Sequence, residues 1–325
     1  MSLHAAPAGF DGPVRLPTEP PTWSSFLVPD LQPVPVLPVL GLVLAAAYVA
    51  GVARLRWGGR RWPWWQTLLF LSGCLLLVLI TGTRAEAYGF EMFSVFMFQQ
   101  LTLMIAIPPL LILGRPGTLF LRAVPHRGIG SHVLRAGLWG LRSAAGRVVL
   151  HPAVTVPLFL LAFYGLYFGP AADLLLASWA GHLSLEVAFL AIGVLFTAPV
   201  LSSDPLPRRH GHGLQIGEMF VEMAVHAFFG VIVIMAVAPM VPAFTHPPLS
   251  WGIDVMGDQA VAGALAWSYG ELPALVVLLI VLRRWFRSDS QAARAKDLQI
   301  DRDGNPDLDA YNDYLRGLSS RSEGL

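Results

Sequence analysis

The chain has 325 residues, of which 55% are hydrophobic and only 13% carry a charge. Soluble domains usually carry about 25% charged residues, so this composition excludes an ordinary soluble protein and indicates a membrane protein. The net charge of +1 is less informative than the positions of the charges, which avoid the long apolar runs. The single cysteine, Cys74, excludes a disulfide framework, a paired-cysteine metal site and a thiol redox couple.

Hydropathy predicts about seven membrane-spanning helices, because each span needs about 20 mostly apolar residues. A proline-rich segment, residues 1–35, precedes them; it lacks the features of a signal peptide, and we predict a disordered or loosely tethered tail. The third span contains Pro108-Pro109, which we expect to kink it or end it early, and the short fourth span contains Pro157. The predicted spans are Val36–Ala53, Trp65–Gly82, Phe90–Gly114, Ala153–Phe168, His182–Leu201, Gly217–Met240 and Gln259–Leu282.

The arginines predict the orientation of the chain, since short loops rich in Lys and Arg stay cytoplasmic. Arginines follow the first, third, fifth and seventh spans, whereas the opposite side holds only Arg15 and Arg84. We therefore predict an all-α helix bundle in the plasma membrane, with the N-terminus outside and the C-terminus cytoplasmic. Its parts are an extracytoplasmic tail (1–35), a seven-helix membrane domain (36–287) and a cytoplasmic polar tail (288–325).

Two cytoplasmic segments have a composition of their own. The loop 115–150 mixes arginines with large apolar residues, which fits either an amphipathic helix on the membrane surface or a solvated linker. In the C-terminal tail, we expect a turn at residues 301–305, followed by a short helix that contains Tyr311 and Tyr314.

Ionisable side chains inside spans are candidates for function, because an unpaired charge in the bilayer costs several kcal/mol. In the sixth span Glu218, Glu222 and His226 are four residues apart, which places them on one helix face. Glu222 and His226 suit a metal site or a proton relay. The same residues also suit an interhelical hydrogen bond that only fixes packing.

The fifth and third spans carry further candidates. His182 and Glu186 share a face of the fifth span and suit a metal that enters from outside, or a simple polar pair. In the third span Met97, Gln100 and Met104 form a stripe. Thioethers favour Cu(I), but methionine is also common core filler, and glutamine often makes interhelical hydrogen bonds.

The seventh span begins near Asp258 and carries Glu271 near mid-membrane, where a proline frees a backbone carbonyl. Depth alone would allow the third, fifth, sixth and seventh spans to meet. We therefore predict one polar pocket that holds His182, Glu186, His226 and Asp258.

At these residues the chain resembles the CtaG-type cytochrome c oxidase assembly family, in its actinobacterial-like form, from about Phe90 onward. The resemblance implies a seven-span plasma-membrane protein that assists copper delivery to a haem–copper oxidase on the outer side. Oxidase subunits and copper chaperones are its implied partners. The motifs that carry it are Ile107-Pro-Pro-Leu-Leu-Ile-Leu-Gly114, His151-Pro152, His182-Leu-Ser-Leu-Glu186, His226-Ala-Phe-Phe-Gly230, Asp258-Gln with Gly263 and Trp267, Gly270-Glu-Leu-Pro273, Arg287-Ser-Asp289 and Leu308-Asp-Ala-Tyr-Asn312.

The chain departs from the family pattern where metal binding is concerned. Relatives commonly carry a His-x-x-x-His pair where this chain has Phe96 and Gln100, and a second histidine where it has Glu186. Since phenylalanine cannot bind metal and an amide is a poor copper ligand, His182, Glu186 and His226 would form a weaker Cu(I) site.

Two other functions remain open. A scaffold would dock oxidase subunits through the cytoplasmic tail and surface helix without binding metal. A transporter would move a cation or proton along Glu222 and His226. An enzyme is disfavoured because no nucleophile–base motif is present, and no nucleic-acid motif stands out.

Overall fold

The protein is described here by a computed structural model covering residues 12–125, 127–206, 211–304 and 306–322. Within these ranges the regular elements are all helical, which confirms the predicted all-α class. The helices are α1 (Trp23–Phe26), α2 (Val36–Trp57), α3 (Trp64–Gly82), α4 (Arg84–Gly89), α5 (Phe93–Leu101), α6 (Ile107–Leu113), α7 (Pro116–Ala123), α8 (Ile129–Arg142), α9 (Ala144–Val149), α10 (Pro152–Leu160), α11 (Ala171–Leu176), α12 (Trp179–Leu201), α13 (His212–Met235), α14 (Val255–Ser268), α15 (Glu271–Asp303) and α16 (Pro306–Ser322).

Six helical stretches of the described chain are long and apolar enough to cross a membrane, so this is a multi-pass membrane protein. The fourth predicted span is helical but shorter, at Pro152–Gly165, and contains Pro157. Which side of the membrane each end occupies stays a prediction. The six stretches are Val36–Trp57, Trp64–Gly82, Phe93–Ala123, Trp179–Leu201, His212–Met235 and Val255–Arg302.

The third span widens instead of ending at its prolines. A π-helical turn, Thr102–Ala106, joins α5 to α6. Neither Pro108 nor Pro109 has an N–H to donate to the Met104 carbonyl, so the regular helical bond is lost there. Gly193 of α12 fits against that carbonyl: a Cβ at Gly193 would lie 2.2 Å from the Met104 oxygen. The missing side chain therefore lets two helices meet backbone to backbone.

This third span is the centre of the bundle. In its most apolar stretch 83% of the residues are buried, against 28% for the first span, so the first span lies at the periphery. Helix α5 packs against α14, and α6 packs against α3 and α12. Polar side chains that face this centre are consequently shielded from lipid and water.

Helices α13 and α14 make another close approach. A Cβ at Gly230 would lie 2.6 Å from the Gly263 carbonyl oxygen, so only glycine fits there. The chain then turns at Tyr269-Gly270 before α15 begins, next to Glu271. The carbonyl that we expected a proline to free near Glu271 stays a prediction.

The described part of the N-terminal segment is held in place, so the prediction of a loosely tethered tail is wrong for residues 12–35. Tyr88 donates its hydroxyl hydrogen to the Glu19 carbonyl at 3.2 Å, and Pro29 forms an isolated β-bridge with Thr83. Buried polar groups and a buried aromatic ring therefore anchor this segment over α4. Residues 1–11 lie outside the described chain.

The loop 115–150 forms α7, α8 and α9, which favours the helical interpretation over a plain linker. Its position on the membrane surface stays a prediction. Helix α16 contains Tyr311 and Tyr314 as expected, and Gly304 turns the chain before it with φ of 78°; Asn305 lies outside the described residues. The chain divides into two compact units, Met1–Leu278 and Leu279–Leu325.

Candidate metal site

Three buried ligand-type side chains meet in the described structure: Glu86, His182 and Glu186. One potential ligand atom from each lies within 4.8 Å of the other two. The three residues are only 6%, 1% and 2% exposed, so water does not solvate them. Two carboxylates and an imidazole at this spacing form a set that can hold a metal ion.

Local capping places these side chains. The Thr83 hydroxyl accepts a hydrogen bond from the Ala85 N–H and starts α4, which carries Glu86. The Ser178 hydroxyl accepts from the Gly181 N–H and starts α12. His182 and Glu186 therefore lie in the first two turns of α12, one above the other, as their spacing predicts.

Aromatic rings hold the His182 imidazole in place. Its ring stacks on Phe90 with centroids 3.9 Å apart, and Phe96 approaches it at 5.2 Å. Phe96 is one of the positions where the family resemblance suggests histidine. The structure thus brings that position beside the cluster, although this chain offers no ligand atom there.

Several polar atoms of the cluster have no hydrogen-bond partner in the described chain. They are both ring nitrogens of His182 and Oε1 of Glu186. The His182 Nε2 atom lies 3.7 Å from Oε1 of Glu86, beyond hydrogen-bond distance. Since buried polar atoms are nearly always paired, unpaired atoms on neighbouring residues of this cluster point to a ligand.

The remaining contacts support Glu86 and leave a small space. Gln99 of α5 donates from Nε2 to Oε2 of Glu86 at 2.8 Å. Burial raises the pKa of the Glu86 carboxyl to about 7, because the charged form loses its hydration.

A cavity of about 10 Å³ adjoins the cluster, lined also by Leu37 and Trp179. That volume holds about one water-sized particle, so the site fits a single ion.

A second polar cluster surrounds His226 of α13. Its Nδ1 donates to the backbone carbonyl of Glu222 at 2.7 Å. The Nε2 atom then faces Oε1 of Glu271 at 3.6 Å. Gly270 lies against the ring, since a Cβ there would be 2.9 Å from the His226 ring atoms. The turn between α14 and α15 thus encloses a buried imidazole.

The single pocket that we predicted for His182, Glu186, His226 and Asp258 stays a prediction, because the structure groups the first two with Glu86 instead. Within the described residues, neither His226 nor Asp258 belongs to the Glu86 cluster. The Asp258 carboxylate instead accepts from the Phe93 N–H at 2.7 Å and from Ser94, so it caps the start of α5. The depth of a residue in the membrane does not determine the direction in which its side chain points. Side chains at similar depth can therefore belong to different clusters.

The other predicted residues lie in the core of the third span. Gln100 donates to the Ala162 carbonyl at 3.0 Å and accepts from the Tyr167 hydroxyl, which confirms the interhelical hydrogen bond. Met97 and Met104 are buried at 0% and 1% exposure. Their burial agrees with core packing, and thioether binding of copper stays a prediction.

Sequence reasoning missed Glu86. It lies in the short connection after the second span, where hydropathy analysis registers only a loop. A signal was available: Glu86 and His182 both lie at helix starts on the side of the membrane that carries few arginines. A search for acidic residues at the ends of spans would have found it.

The fold and this cluster together define a multi-pass helical membrane protein with a buried carboxylate–imidazole site suited to a metal ion. The match to a known family is extensive, covering residues 46–288. The chain belongs to the cytochrome c oxidase caa3 assembly factor family, Caa3_CtaG.

Curated relatives come from mycobacteria. An uncharacterized protein of Mycobacterium bovis is 38% identical over 284 residues, which cover 86% of this chain and 43% of that protein. One of Mycobacterium leprae is 36% identical over 282 residues, with the same shares of coverage. The chain thus spans under half the length of these relatives. No solved structure matches it significantly.

Proposed function

We propose that this chain is a non-catalytic assembly factor for a haem–copper cytochrome c oxidase in the plasma membrane. It assists the delivery of copper to the oxidase from the outer side. Family membership over residues 46–288 supports the assembly role. The observation that carries the copper role is the buried cluster of Glu86, His182 and Glu186, with three polar atoms lacking partners in the described chain.

The ligand types favour divalent copper as the cargo. Carboxylates and imidazole are harder ligands than the thiolates and thioethers that select Cu(I). Among divalent first-row metals, Cu²⁺ binds such sites most tightly. Phe96 and Gln100, where the family resemblance suggests histidines, add no strong copper ligand, so the site would bind more weakly than a histidine-rich one. Moderate affinity suits a protein that must release its cargo.

The position of the cluster supports capture near one membrane surface. Its residues lie at the starts of α4 and α12, and its cavity is also lined by Gln32 and Leu37 of the N-terminal segment and α2. The arginine distribution predicts that this surface is the outer one. Copper could then enter and leave without crossing the bilayer, with copper chaperones as donors and oxidase subunits as acceptors.

A scaffold function is the second candidate, because α16 presents an apolar stripe. Tyr311, Leu315 and Leu318 follow helical spacing and are between 43% and 57% exposed. Such a stripe can dock on a partner helix. In that case oxidase subunits would bind the tail, and the buried cluster would only hold helices together.

The experiment that tests the proposal is the copper-to-haem ratio of the oxidase purified from a strain that lacks this gene. The strain is complemented with wild type, His182→Ala or Glu86→Gln, with Glu91→Gln as a matched control for a buried carboxyl outside the cluster. We expect wild type and Glu91→Gln to restore the ratio and the two cluster variants to leave it low.

The other outcomes decide between the alternatives. If the cluster variants restore the ratio and truncation before α16 does not, the scaffold function replaces copper delivery. If the strain without the gene makes an oxidase with a normal ratio and normal abundance, the assembly function is wrong, and ion flux through liposomes that contain the protein becomes the next measurement.

A further inference from the structure

A strongly basic groove lies where the first two spans connect. An open cavity of about 380 Å³ is lined by Arg56, Arg60, Arg61, Gly59 and Trp62. None of these three arginines has a carboxylate within 4.0 Å in the described part of the chain. Their positive charge is therefore left for a ligand.

The groove has a fixed floor. The Trp62 indole N–H donates to the Tyr48 hydroxyl at 3.1 Å, and that hydroxyl donates to the Gly114 carbonyl at 2.7 Å. The Arg122 guanidinium lies 5.7 Å from the centre of the Trp62 ring on its face. The buried Trp62 side chain is thus connected through Tyr48 to Gly114, which fixes its position in the groove.

Guanidinium groups are the donors that the groove offers. The backbone N–H groups of Gly59 and Arg60 already bond to the carbonyls of Arg56 and Leu55, at 3.0 and 2.9 Å. The arginine side chains are exposed, although Nη1 of Arg60 also donates to the Arg122 carbonyl at 3.5 Å. Guanidinium groups bind phosphate oxygens through paired N–H donors. The chemistry therefore favours a phosphate group.

The position of the groove decides where that phosphate comes from. Residues 58–63 join the end of α2 to the start of α3, so they lie at a membrane surface. Trp57 and Trp64 flank them at 87% and 70% exposure, as tryptophan does at the level of lipid headgroups. A volume of about 380 Å³ falls in the range of small-molecule sites.

We propose that this groove binds the headgroup of an anionic phospholipid through Arg56, Arg60 and Arg61. The site is separate from the metal cluster and does not depend on the copper proposal. It would fix the first two spans to anionic lipid at the arginine-rich side of the membrane.

Gly59 permits a test that leaves every arginine in place. Its φ is 71°, in the left-handed region, and an added Cβ would meet nothing within 4 Å. Asn and Asp tolerate this conformation better than other residues with side chains. Gly59→Asp adds a carboxylate at the groove, and Gly59→Asn is its match in size and backbone strain without the charge.

The assay is native mass spectrometry of the purified full chain in neutral detergent. Phosphatidylglycerol and phosphatidylcholine with the same acyl chains are added separately, and inorganic phosphate is added in competition with phosphatidylglycerol. We expect wild type and Gly59→Asn to retain phosphatidylglycerol in preference to phosphatidylcholine. Gly59→Asp should bind it about fivefold more weakly, the contribution of roughly one basic residue near an anionic surface.

Three results would overturn the proposal: equal phosphatidylglycerol binding by Gly59→Asp and Gly59→Asn, equal retention of the two lipids, or inorganic phosphate competing as strongly as the lipid. The last would assign the groove to a free anion. If the glycine variants do not fold, Arg60→Gln/Arg61→Gln is compared with Arg283→Gln/Arg287→Gln. Only the first pair should lose the lipid.

Discussion

Replacing Glu86 by glutamine separates a metal site from a structural hydrogen-bond cluster. The substitution keeps the side chain's size, and the amide oxygen can still accept the hydrogen bond from Gln99. It removes one of two buried carboxylates whose oxygen atoms lie within 4.8 Å. Burial raises the pKa of Glu86 to about 7, so its charged form is costly at this position, and the neutral amide avoids that cost. Without metal, the variant should therefore be as stable as wild type or more stable.

With copper the order should reverse. At a copper concentration about 100 times Kd, binding stabilises the folded protein by about 2.7 kcal/mol. An amide is a poor copper ligand, so we expect the copper affinity to fall about a hundredfold. This is the upper end of the loss of about 10- to 100-fold that follows when a residue supporting a metal ligand is replaced. Copper is then near its new Kd, and the stabilisation falls to about 0.4 kcal/mol.

The assay is thermal unfolding in detergent with and without Cu²⁺. One kcal/mol shifts the midpoint by about 2 °C in a chain of this size, so copper should raise the midpoint by about 5 °C in wild type and by about 1 °C in Glu86→Gln. The Glu91→Gln control should respond as wild type. A copper shift that is undiminished in Glu86→Gln, or a loss of stability in the metal-free variant, would refute the metal-site argument.

Three further outcomes follow from the same contacts. Phe96→His places an imidazole beside His182 and should raise copper affinity by about tenfold or more, measured by competition with a chelator; unchanged affinity would separate position 96 from the site. Gly193→Val should destabilise the protein by about 1–3 kcal/mol or more in thermal unfolding, because its Cβ collides with the Met104 carbonyl. Asp258→Ala removes the cap of α5 and should cost about 1–2 kcal/mol while copper affinity stays constant; a drop in affinity would restore Asp258 as a ligand.

Hydropathy predicted the spans well because membrane insertion imposes one simple requirement, a long apolar stretch. The boundaries moved where local chemistry intervened. The third predicted span begins at Phe90, but its helix starts at Phe93, where Asp258 supplies the cap from another helix. A capping partner 165 residues away leaves no signal in the local sequence.

The candidate site was predictable only within a single helix. The four-residue spacing of His182 and Glu186 placed both on one face, which the structure confirms. Glu86, about 100 residues earlier, could not be added because the order of helices around a bundle is not encoded in hydropathy. Hydropathy also does not give the direction in which each helix face points, and for that reason we predicted one pocket. In the structure His226 faces Glu271, and Asp258 faces α5.

The composition of the site has a consequence for how copper would leave it. A thiolate or histidine-rich site binds copper tightly, whereas this cluster supplies one imidazole and two carboxylates. Two of its three residues come from α12, and the third comes from α4, a six-residue helix that the N-terminal segment contacts through Tyr88. A small displacement of α4 would remove one ligand of three without unpacking the central third span. On the proposed function, docking of an oxidase subunit against the N-terminal segment is therefore the simplest way to couple partner binding to copper release.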